Sequence, residues 1–237
     1  MKTGLVFDHV GRRFGKCLAL DDFDLACEAG LMTSLIGPNG AGKSTALALA
    51  AGLLAPSSGK ISLNSNSIQP KSPPASTGYL PQNSTFHPLL RVKEVLEFTI
   101  AARQAGPEAQ VDALEVTGLS DVLNRSVGEL SGGWMRRLGL MTALAGSPDL
   151  LLLDEPFVGL DPETHDRVMA HLRIRVDSGA IVVVASHDFE SLDQLTPKVA
   201  VLDEGRLRTT AEAASGSSRS LYRQALQQTE SISEAGG

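Results

Sequence analysis

A glycine-rich segment in the first fifth of the chain fits the pattern GxxxxGK followed by Ser or Thr in full. Its residues are Gly37, Pro38, Asn39, Gly40, Ala41, Gly42, Lys43, Ser44 and Thr45. Glycines allow the backbone to curl until successive N–H groups point inward at phosphate oxygens. The lysine can reach the β and γ phosphates of a nucleotide, and the serine hydroxyl can ligate Mg²⁺. We therefore predict that this segment, the phosphate loop, binds ATP together with Mg²⁺.

Two acidic residues, Asp154 and Glu155, directly follow a run of four leucines at residues 150–153. Such a run predicts a buried strand, and ligands of an open parallel sheet bind at the carboxyl ends of its strands. We interpret Asp154 as a residue of the Mg²⁺ shell and Glu155 as the general base that polarises the attacking water. The alternative is that both acids merely end a strand and begin a turn. Because the same sequence also contains a phosphate loop, the Mg²⁺ and general-base interpretation is strongly favoured over this alternative. The sequence therefore predicts a Mg-dependent nucleotide triphosphatase.

The composition is ordinary for a globular protein of 237 residues, with 42% hydrophobic and 20% charged residues. The net charge is −6, no block of five or six like charges occurs, and aromatic residues make up only 4%. These values argue against a broad nucleic-acid surface and against base-stacking platforms, so we expect no nucleic-acid partner. The two cysteines, Cys17 and Cys27, form no CxxC pair or Cys/His cluster, which is typical of a reduced intracellular protein.

Neither a secretory signal nor a membrane span is visible in the sequence. The first fifteen residues lack an apolar core of the secretory type. No stretch approaches the roughly 18 apolar residues that a membrane-spanning helix needs. We therefore expect a soluble, cytoplasmic chain.

The elements that must position these residues follow an α/β pattern, in which short apolar runs alternate with amphipathic segments. Residues 33–36 predict the strand that leads into the phosphate loop, and a helix should follow from Lys43 to about Leu53. Residues 150–153 and 180–185 predict buried strands, and residues 199–207 predict a terminal hairpin. The prediction is a P-loop NTPase core with a mainly parallel sheet.

Three further regions complete this prediction. Residues 1–30 lack helical periodicity and predict an antiparallel β side sheet. Helical spacing of apolar residues after Pro88 predicts an inserted α-helical subdomain at about residues 83–135. Another helix is expected at residues 134–146. The domain should span residues 1–210 and be followed by a tail at 211–237. This tail should be helical around Leu221 to Leu226 and disordered from Ser231 onward.

A third motif, Leu130-Ser131-Gly132-Gly133, lies about twenty residues before the acidic strand. With the two motifs above, in this order, it makes the chain resemble the nucleotide-binding subunit of an ATP-binding cassette (ABC) transporter over residues 3–210. The resemblance implies that two cassettes pack head to tail, so that each ATP lies between the phosphate loop of one and residues 131–133 of the other. A plain helix N-cap would explain Ser131, but the paired glycines also let backbone N–H groups approach a γ-phosphate.

The resemblance also implies roles for four residues outside these motifs. Gln82 is similar to the glutamine that contacts Mg²⁺ or water, and His187 is similar to the switch histidine near the γ-phosphate. Asp161 resembles the aspartate that communicates across the dimer, and Phe14 stands where the family places an aromatic ring against adenine.

One residue departs from the family pattern, because Trp134 stands where the motif usually continues with glutamine. Family members that drive ABC-2-type exporters often carry an apolar residue there, so we do not interpret Trp134 as inactivating. We expect it to pack against the neighbouring cassette or the helical subdomain. The short segment between Gln82 and Ser131 also favours an exporter, an expectation that rests on the resemblance alone.

The function implied by the resemblance is that of an ATP-binding and ATP-hydrolysing transporter subunit on the inner face of the cell membrane. Closure of a dimer, with an identical or a different cassette, would move substrate through a separate integral membrane permease. The alternative is a non-transport ABC ATPase that acts on a nucleic-acid or protein complex. The sequence shows no long coiled-coil insertion, zinc-ligand cysteine set or second cassette, and its net acidity argues against a nucleic-acid partner. A small-molecule kinase with a phosphate loop would leave residues 131–133 unexplained.

Overall fold

The computed structural model describes residues 4–71, 74, 76–105, 108–195, 198–212 and 218–234. The strands in these residues are β1 (Gly4–Phe14), β2 (Cys17–Glu28), β3 (Met32–Ile36), β4 (Ser58–Leu63), β5 (Asn66–Ser67), β6 (Thr77–Leu80), β7 (Leu150–Asp154), β8 (Ile181–Ala185), β9 (Lys198–Asp203) and β10 (Arg206–Glu212). The α-helices are α1 (Lys43–Ala50), α2 (Val92–Arg103), α3 (Glu108–Thr117), α4 (Gly132–Leu144), α5 (Pro162–Asp177), α6 (Phe189–Gln194) and α7 (Ser218–Glu234). The predicted α/β class is confirmed.

A six-stranded central sheet has the order β10-β9-β3-β8-β7-β6. All neighbouring strands in it are parallel except the terminal hairpin of β9 and β10. Strands β3, β7 and β8 are buried at every residue, which explains why they read as continuous apolar runs rather than as alternating patterns. The four predicted elements of this sheet, three strands and the hairpin, are confirmed.

Both faces of the central sheet are covered. Leu150 and Leu152 point to one face, where they pack with α1 and the side sheet, whereas Leu151 and Leu153 point to the other face and pack with α4 and α5. All four leucines are fully buried, and each contributes roughly 1.5–3 kcal/mol to folding relative to an exposed side chain. The sheet is therefore the rigid layer whose strand ends carry the candidate site.

The predicted side sheet is also confirmed, with the order β2-β1-β4-β5 and antiparallel pairing throughout. Its longest pair, β1 and β2, turns at Gly15, so that Phe14 lies directly opposite Cys17 in the register. Helix α1 is shorter than predicted, because it ends at Ala50 instead of continuing to Leu53. Gly52 adopts a φ of 70° and donates to Leu49, and Leu53 donates to Ala48, which closes the helix in a Schellman motif.

Helices α2, α3 and α4 enclose a hydrophobic cluster of their own, with Val95, Leu96 and Met141 among its buried residues. Helix α4 has a second face that packs on the central sheet through Leu140 and Leu144. It begins at Gly132, two residues before the predicted start, because Ser131 already caps it. The helices thus lie where a helical subdomain was predicted, and its boundaries at residues 83–135 stay a proposal.

The C-terminal region differs from the sequence prediction. Strand β10 continues to Glu212, which pairs with Lys198; the domain boundary at residue 210 stays a proposal. Helix α7 runs to Glu234, although disorder was predicted from residue 231; residues 235–237 lie outside the described part of the chain. Its start is fixed because the Ser218 N–H donates to the Asp193 carboxylate at 3.0 Å, and Tyr222 packs on the core. No helix in the described ranges is long and apolar enough to cross a membrane.

Candidate functional site

The phosphate loop connects the end of β3 to the start of α1. Gly42, the N-cap of α1, has a φ of 106°, a conformation that side-chain-bearing residues rarely adopt. A Cβ atom at Gly37 would collide with the carbonyl oxygen of Leu202 in the neighbouring strand. The two glycines therefore let the loop turn back tightly over the sheet edge, and the N–H groups at the start of α1 face the space above it.

The Lys43 side chain folds back across this loop. Its Nζ donates to the carbonyl oxygens of Gly37 at 2.8 Å and Pro38 at 3.0 Å. Burial lowers the pKa of Lys43, while the nearby carboxylates of Glu155 and Asp154 act in the opposite direction. The ammonium is thus held at the loop, where a phosphate group can replace the two carbonyl oxygens as its partner.

Asp154 is the last residue of β7, and its side chain is 2% exposed. Its Oδ2 atom accepts no hydrogen bond from the described residues, which is costly for a buried carboxylate oxygen. Burial raises the pKa of Asp154, and a hydrogen bond from Ser44 partly offsets that effect. With Ser44 and Gln82 it offers oxygen ligands of the kind that Mg²⁺ prefers, so the residues present fit that ion.

Glu155 has a φ of 51°, in the left-handed region that costs a non-glycine residue about 1–3 kcal/mol. Its backbone N–H donates to the carbonyl oxygen of Ala185 in β8 at 2.7 Å. The carboxylate accepts a hydrogen bond from the Ser186 hydroxyl at 2.9 Å, and its other oxygen lies 2.8 Å from Nδ1 of His187. Two strand ends therefore fix the position of one carboxylate, an arrangement suited to a general base.

A cavity of about 240 Å³, the nucleotide cavity, joins most of the predicted site. Its lining residues are Cys17, Ala19, Asn39, Gly40, Ala41, Gly42, Lys43, Ser44, Thr45, Gln82, Asp154 and Glu155. Gly37 and Pro38 contact the side chain of Lys43, and His187 contacts Glu155, so these three predicted residues adjoin the cavity. Phe14 lies at the tip of the side-sheet hairpin, with the guanidinium of Arg12 4.5 Å from its ring centroid.

The predicted residues 131–133 do not line this cavity. Ser131 is exposed and caps α4, because its hydroxyl accepts from the Trp134 N–H at 3.5 Å. Gly132 is also exposed, and a Cβ atom there would meet no heavy atom of the described residues within 4 Å. The helix N-terminus thus presents an open backbone surface away from the phosphate loop of its own chain.

Asp161 and Trp134 lie close together on either side of Arg137. Asp161 caps α5 by accepting from the Thr164 N–H at 3.0 Å, and it also forms an ion pair with Arg137. The Arg137 guanidinium lies 4.5 Å from the Trp134 ring centroid, and Trp134 packs against the cluster of α2, α3 and α4. Of the two contacts expected for Trp134, the neighbouring cassette or the helical subdomain, the structure shows the second.

Sequence reasoning missed two features of the site. The first is Arg136, whose guanidinium donates to the carbonyl oxygens of Pro81 at 2.9 Å, Gln82 at 3.0 Å and Glu155 at 2.5 Å. It links α4 to Gln82 and to the acidic turn, but the sequence shows only an arginine in a helical pattern. The second is Cys17 in the cavity wall. The period of two puts it on the same strand face as Ala19, but the sequence gives no sign that this face meets the phosphate loop.

Comparison with known proteins places these observations in a family. The model of the family described as ABC transporter matches residues 20–158. The Nod factor export ATP-binding protein I of Burkholderia lata is 36% identical over 208 residues, which cover 84% of this chain and 68% of that protein. The molybdate/tungstate import ATP-binding protein WtpC of Thermococcus kodakarensis is 37% identical over 196 residues, covering 79% and 59% of the two chains.

Solved structures agree with the fold. An ATP-binding subunit of an ABC transporter superposes with a TM-score of 0.86 at 23% identity, covering 94% of this chain and all of that one. A dimeric ATP-binding cassette in a post-hydrolysis state with ADP and Pi gives a TM-score of 0.77 at 23% identity, covering 88% and 98%. At these identities the likeness shows the fold alone.

Proposed function

Since this chain belongs to the ABC transporter family, we propose that it binds and hydrolyses ATP and couples dimer closure to substrate movement through a separate membrane subunit. The observation that carries this proposal is the nucleotide cavity, which joins the phosphate loop, the unpartnered oxygen of Asp154 and the carboxylate of Glu155. The relatives named above serve both export and import. The ABC-2 exporter type therefore stays a prediction, as does a working position at the inner face of the cell membrane.

We assign phosphate binding to the phosphate loop and to Lys43, whose Nζ would exchange its two carbonyl partners for phosphate oxygens. Ser44, Gln82 and Asp154 would hold Mg²⁺, which supplies neutralisation of the charge on the β and γ phosphates. Support for this assignment comes from the buried Oδ2 of Asp154, because a cation is the partner that a desolvated carboxylate lacks. Phe14 would offer its ring face to the adenine.

Glu155 would take the proton of the attacking water. Its carboxylate is kept in place by Ser186 and His187, so it needs no reorientation before the reaction. His187 is exposed, whereas Glu155 is mostly covered, so the imidazole can face the γ-phosphate while holding the base. We propose His187 as a positioning residue that senses the nucleotide and Glu155 as the residue that accepts the proton.

The position of residues 131–133 supports a site shared between two cassettes. These residues lie outside the nucleotide cavity of their own chain, on an exposed helix N-terminus. An anion there would meet free N–H groups and the positive end of the α4 dipole. We propose that a second cassette, related head to tail, brings them against the γ-phosphate, and that Asp161 lies near the same interface.

A mixing experiment tests the shared site between two copies of this chain. Gly132→Asp adds a carboxylate where the structure leaves room for a side chain, so the chain should fold, but the carboxylate should repel the γ-phosphate. Lys43→Ala disables the phosphate loop instead. Each variant alone should hydrolyse little ATP, whereas an equal mixture should regain about a quarter of wild-type activity, because half of the dimers then hold one intact site.

The control for this mixture is Gly132→Asn, which has a similar shape without the charge and should retain much more activity alone than Gly132→Asp. Steady-state phosphate release provides the measurement. If the mixture stays as inactive as its components while both variants dimerise, a site shared between two copies of this chain is wrong.

A groove between α2 and the central sheet supports coupling to a membrane subunit. This docking groove, of about 320 Å³, is lined by Ala51, Leu53, Thr77, Tyr79, Phe98, Thr99, Ala102, Arg103 and Thr142. Phe98 is 76% exposed on α2, and Leu53 is also exposed, so two large apolar side chains of the groove face solvent in this chain. We propose that a cytoplasmic helix of the membrane subunit occupies the docking groove and follows the motion of α2.

Phe98→Glu tests this coupling. When this chain is purified from detergent extracts through a tag, the variant should no longer bring the membrane subunit with it, because the introduced charge disfavours docking in the groove. ATP binding by the isolated chain should persist, because Phe98 lies outside the nucleotide cavity. Leu89→Glu is the matched control, since Leu89 is 80% exposed and does not line the docking groove. Co-purification of a nucleic-acid or soluble protein complex without a polytopic membrane protein would instead support the non-transport alternative.

A further inference from the structure

Cys17 lies in the wall of the nucleotide cavity, at the first residue of β2. Cys17 and Ala19 are two residues apart on this strand, so their side chains point to the same face, and both line the cavity. Phe14 is paired directly with Cys17 across the hairpin and therefore shares this face. The thiol thus stands between the proposed adenine platform and the phosphate loop.

The cavity beside this thiol shows independent signs of a ligand. The Oδ2 of Asp154 is buried in the same cavity without a hydrogen-bond partner among the described residues, and the Lys43 ammonium is turned back onto a carbonyl oxygen of the phosphate loop. These groups serve the phosphate end. Cys17 is exposed and is paired with Phe14, the proposed adenine platform, so it lies on the side of the cavity that would take the sugar and base if the phosphates occupy the loop.

We propose that Cys17 is a thiol-modification site that controls ATP binding, so that a group attached to its Sγ atom excludes the nucleotide. The inference rests on the proposed function, because it takes the cavity to be the ATP site. Cys17 and the phosphate-loop residues line the same cavity, so a peptide-sized adduct on Sγ would compete with the nucleotide for the space beside the loop. The reagent class is a low-molecular-weight disulfide such as oxidised glutathione.

The reaction is thiol–disulfide exchange. The Cys17 thiolate attacks one sulfur of the disulfide, a bond forms between that sulfur and Sγ, and the original sulfur–sulfur bond breaks. The other half of the reagent leaves with the electron pair and takes a proton from water. An excess of dithiol reverses the exchange by the same route, so the modification is a reversible block of ATP binding.

Cys27 provides an internal control within the same chain. It is 1% exposed, and burial raises the pKa of its thiol to about 12. A reagent in solution cannot reach this thiol, and at neutral pH the thiol is protonated and therefore unreactive. Native protein should therefore lose one thiol quickly to N-ethylmaleimide, and unfolding should release the second.

The first test is protection by nucleotide. ADP binding to the reduced full chain is measured by calorimetry, and the rate of Cys17 alkylation by N-ethylmaleimide is then followed with and without ADP. At about 100 times the ADP Kd, the rate should fall by up to about 100-fold, because only ligand-free protein reacts. An unchanged rate at saturating ADP overturns the inference and leaves the proposed function intact. A failure to bind ADP at all is the distinct result that overturns both.

The second test compares ADP affinity before and after treatment with oxidised glutathione. In wild type the treated protein should lose measurable ADP binding, and dithiothreitol should restore it. In Cys17→Ala the affinity, whatever its starting value, should be the same before and after treatment. Retention of ADP binding by fully glutathionylated wild type, or loss of binding in treated Cys17→Ala, overturns the proposal.

Discussion

Replacing Glu155 by glutamine should nearly abolish ATP turnover while ATP binding persists. The amide has the same shape as the carboxylate and can keep contacts with Ser186 and His187, so the acidic turn should retain its geometry. It cannot accept a proton from the attacking water. General-base catalysis contributes roughly 10²- to 10⁴-fold, and we expect a fall in kcat of about this size.

The same substitution should also trap the dimer. Without hydrolysis the γ-phosphate remains between the phosphate loop of one cassette and residues 131–133 of the other, so opening is prevented. Size-exclusion chromatography with ATP should show a dimer for Glu155→Gln and less of it for wild type. Kd from calorimetry and kcat from phosphate release separate the effects on binding and on chemistry.

Glu163→Gln is the matched control, because Glu163 is an exposed glutamate on α5 that pairs only with Arg167 among the described ion pairs. This variant should turn over ATP like wild type, since a surface ion pair contributes little. If Glu155→Gln hydrolyses ATP at the wild-type rate, Glu155 is not the base. If it binds no ATP, the residue instead has a role in nucleotide binding.

The parts of this fold that sequence predicts best are those in which local chemistry and burial agree. The strand at residues 150–153 is fully apolar because it is covered on both faces, and the acids after it lie at the sheet edge for the same reason. The phosphate loop is also predicted by a local pattern, because its glycines and lysine form one short motif and Lys43 bonds Gly37 within it. The reason why Gly37 must be glycine is not local, since a Cβ atom there would collide with Leu202.

The features that sequence reasoning missed depend on contacts between distant residues. Arg136 binds the carbonyl oxygens of Pro81 and Gln82, more than fifty residues earlier, and no local pattern marks such an arginine. Cys17 enters the cavity only because the side sheet folds over the phosphate loop. The early end of α1 is different, because a local residue, Gly52, marks it: glycine favours the left-handed turn that ends a helix. The predicted end at Leu53 was wrong because it passes over this glycine.

The tail shows how tertiary contacts change a local prediction. Its composition of Ala, Ser, Gln and Glu suggests weak structure, but Leu221 and Tyr222 lie on one helical face and pack against the core. The Tyr222 ring also lies 5.6 Å from that of Phe189 in α6. Packing of an amphipathic face stabilises a helix that propensity alone leaves marginal.

Lys43→Ala should weaken ATP binding itself, in contrast to Glu155→Gln. The ammonium is largely buried at the phosphate loop, and hydrogen bonds to charged groups are worth roughly 1.5–3 kcal/mol each, so Kd should rise by about 10- to 150-fold. Burial lowers the pKa of Lys43, but the carboxylates of Glu155 and Asp154 oppose this effect and favour the charged form that a phosphate needs.

Because Lys43 also bonds Gly37 and Pro38, its loss could loosen the phosphate loop without any direct effect on phosphate. Lys43→Met keeps most of the side-chain volume and removes the charge. If Lys43→Ala and Lys43→Met both bind ATP weakly and both unfold at the wild-type Tm, the loss of binding is due to the loss of the charge. Lys60→Ala is the matched control, since Lys60 is an exposed lysine paired with Asp8 on the side sheet. Unchanged ATP affinity in Lys43→Ala would contradict the assignment of the phosphate loop, and with it the cavity as the ATP site.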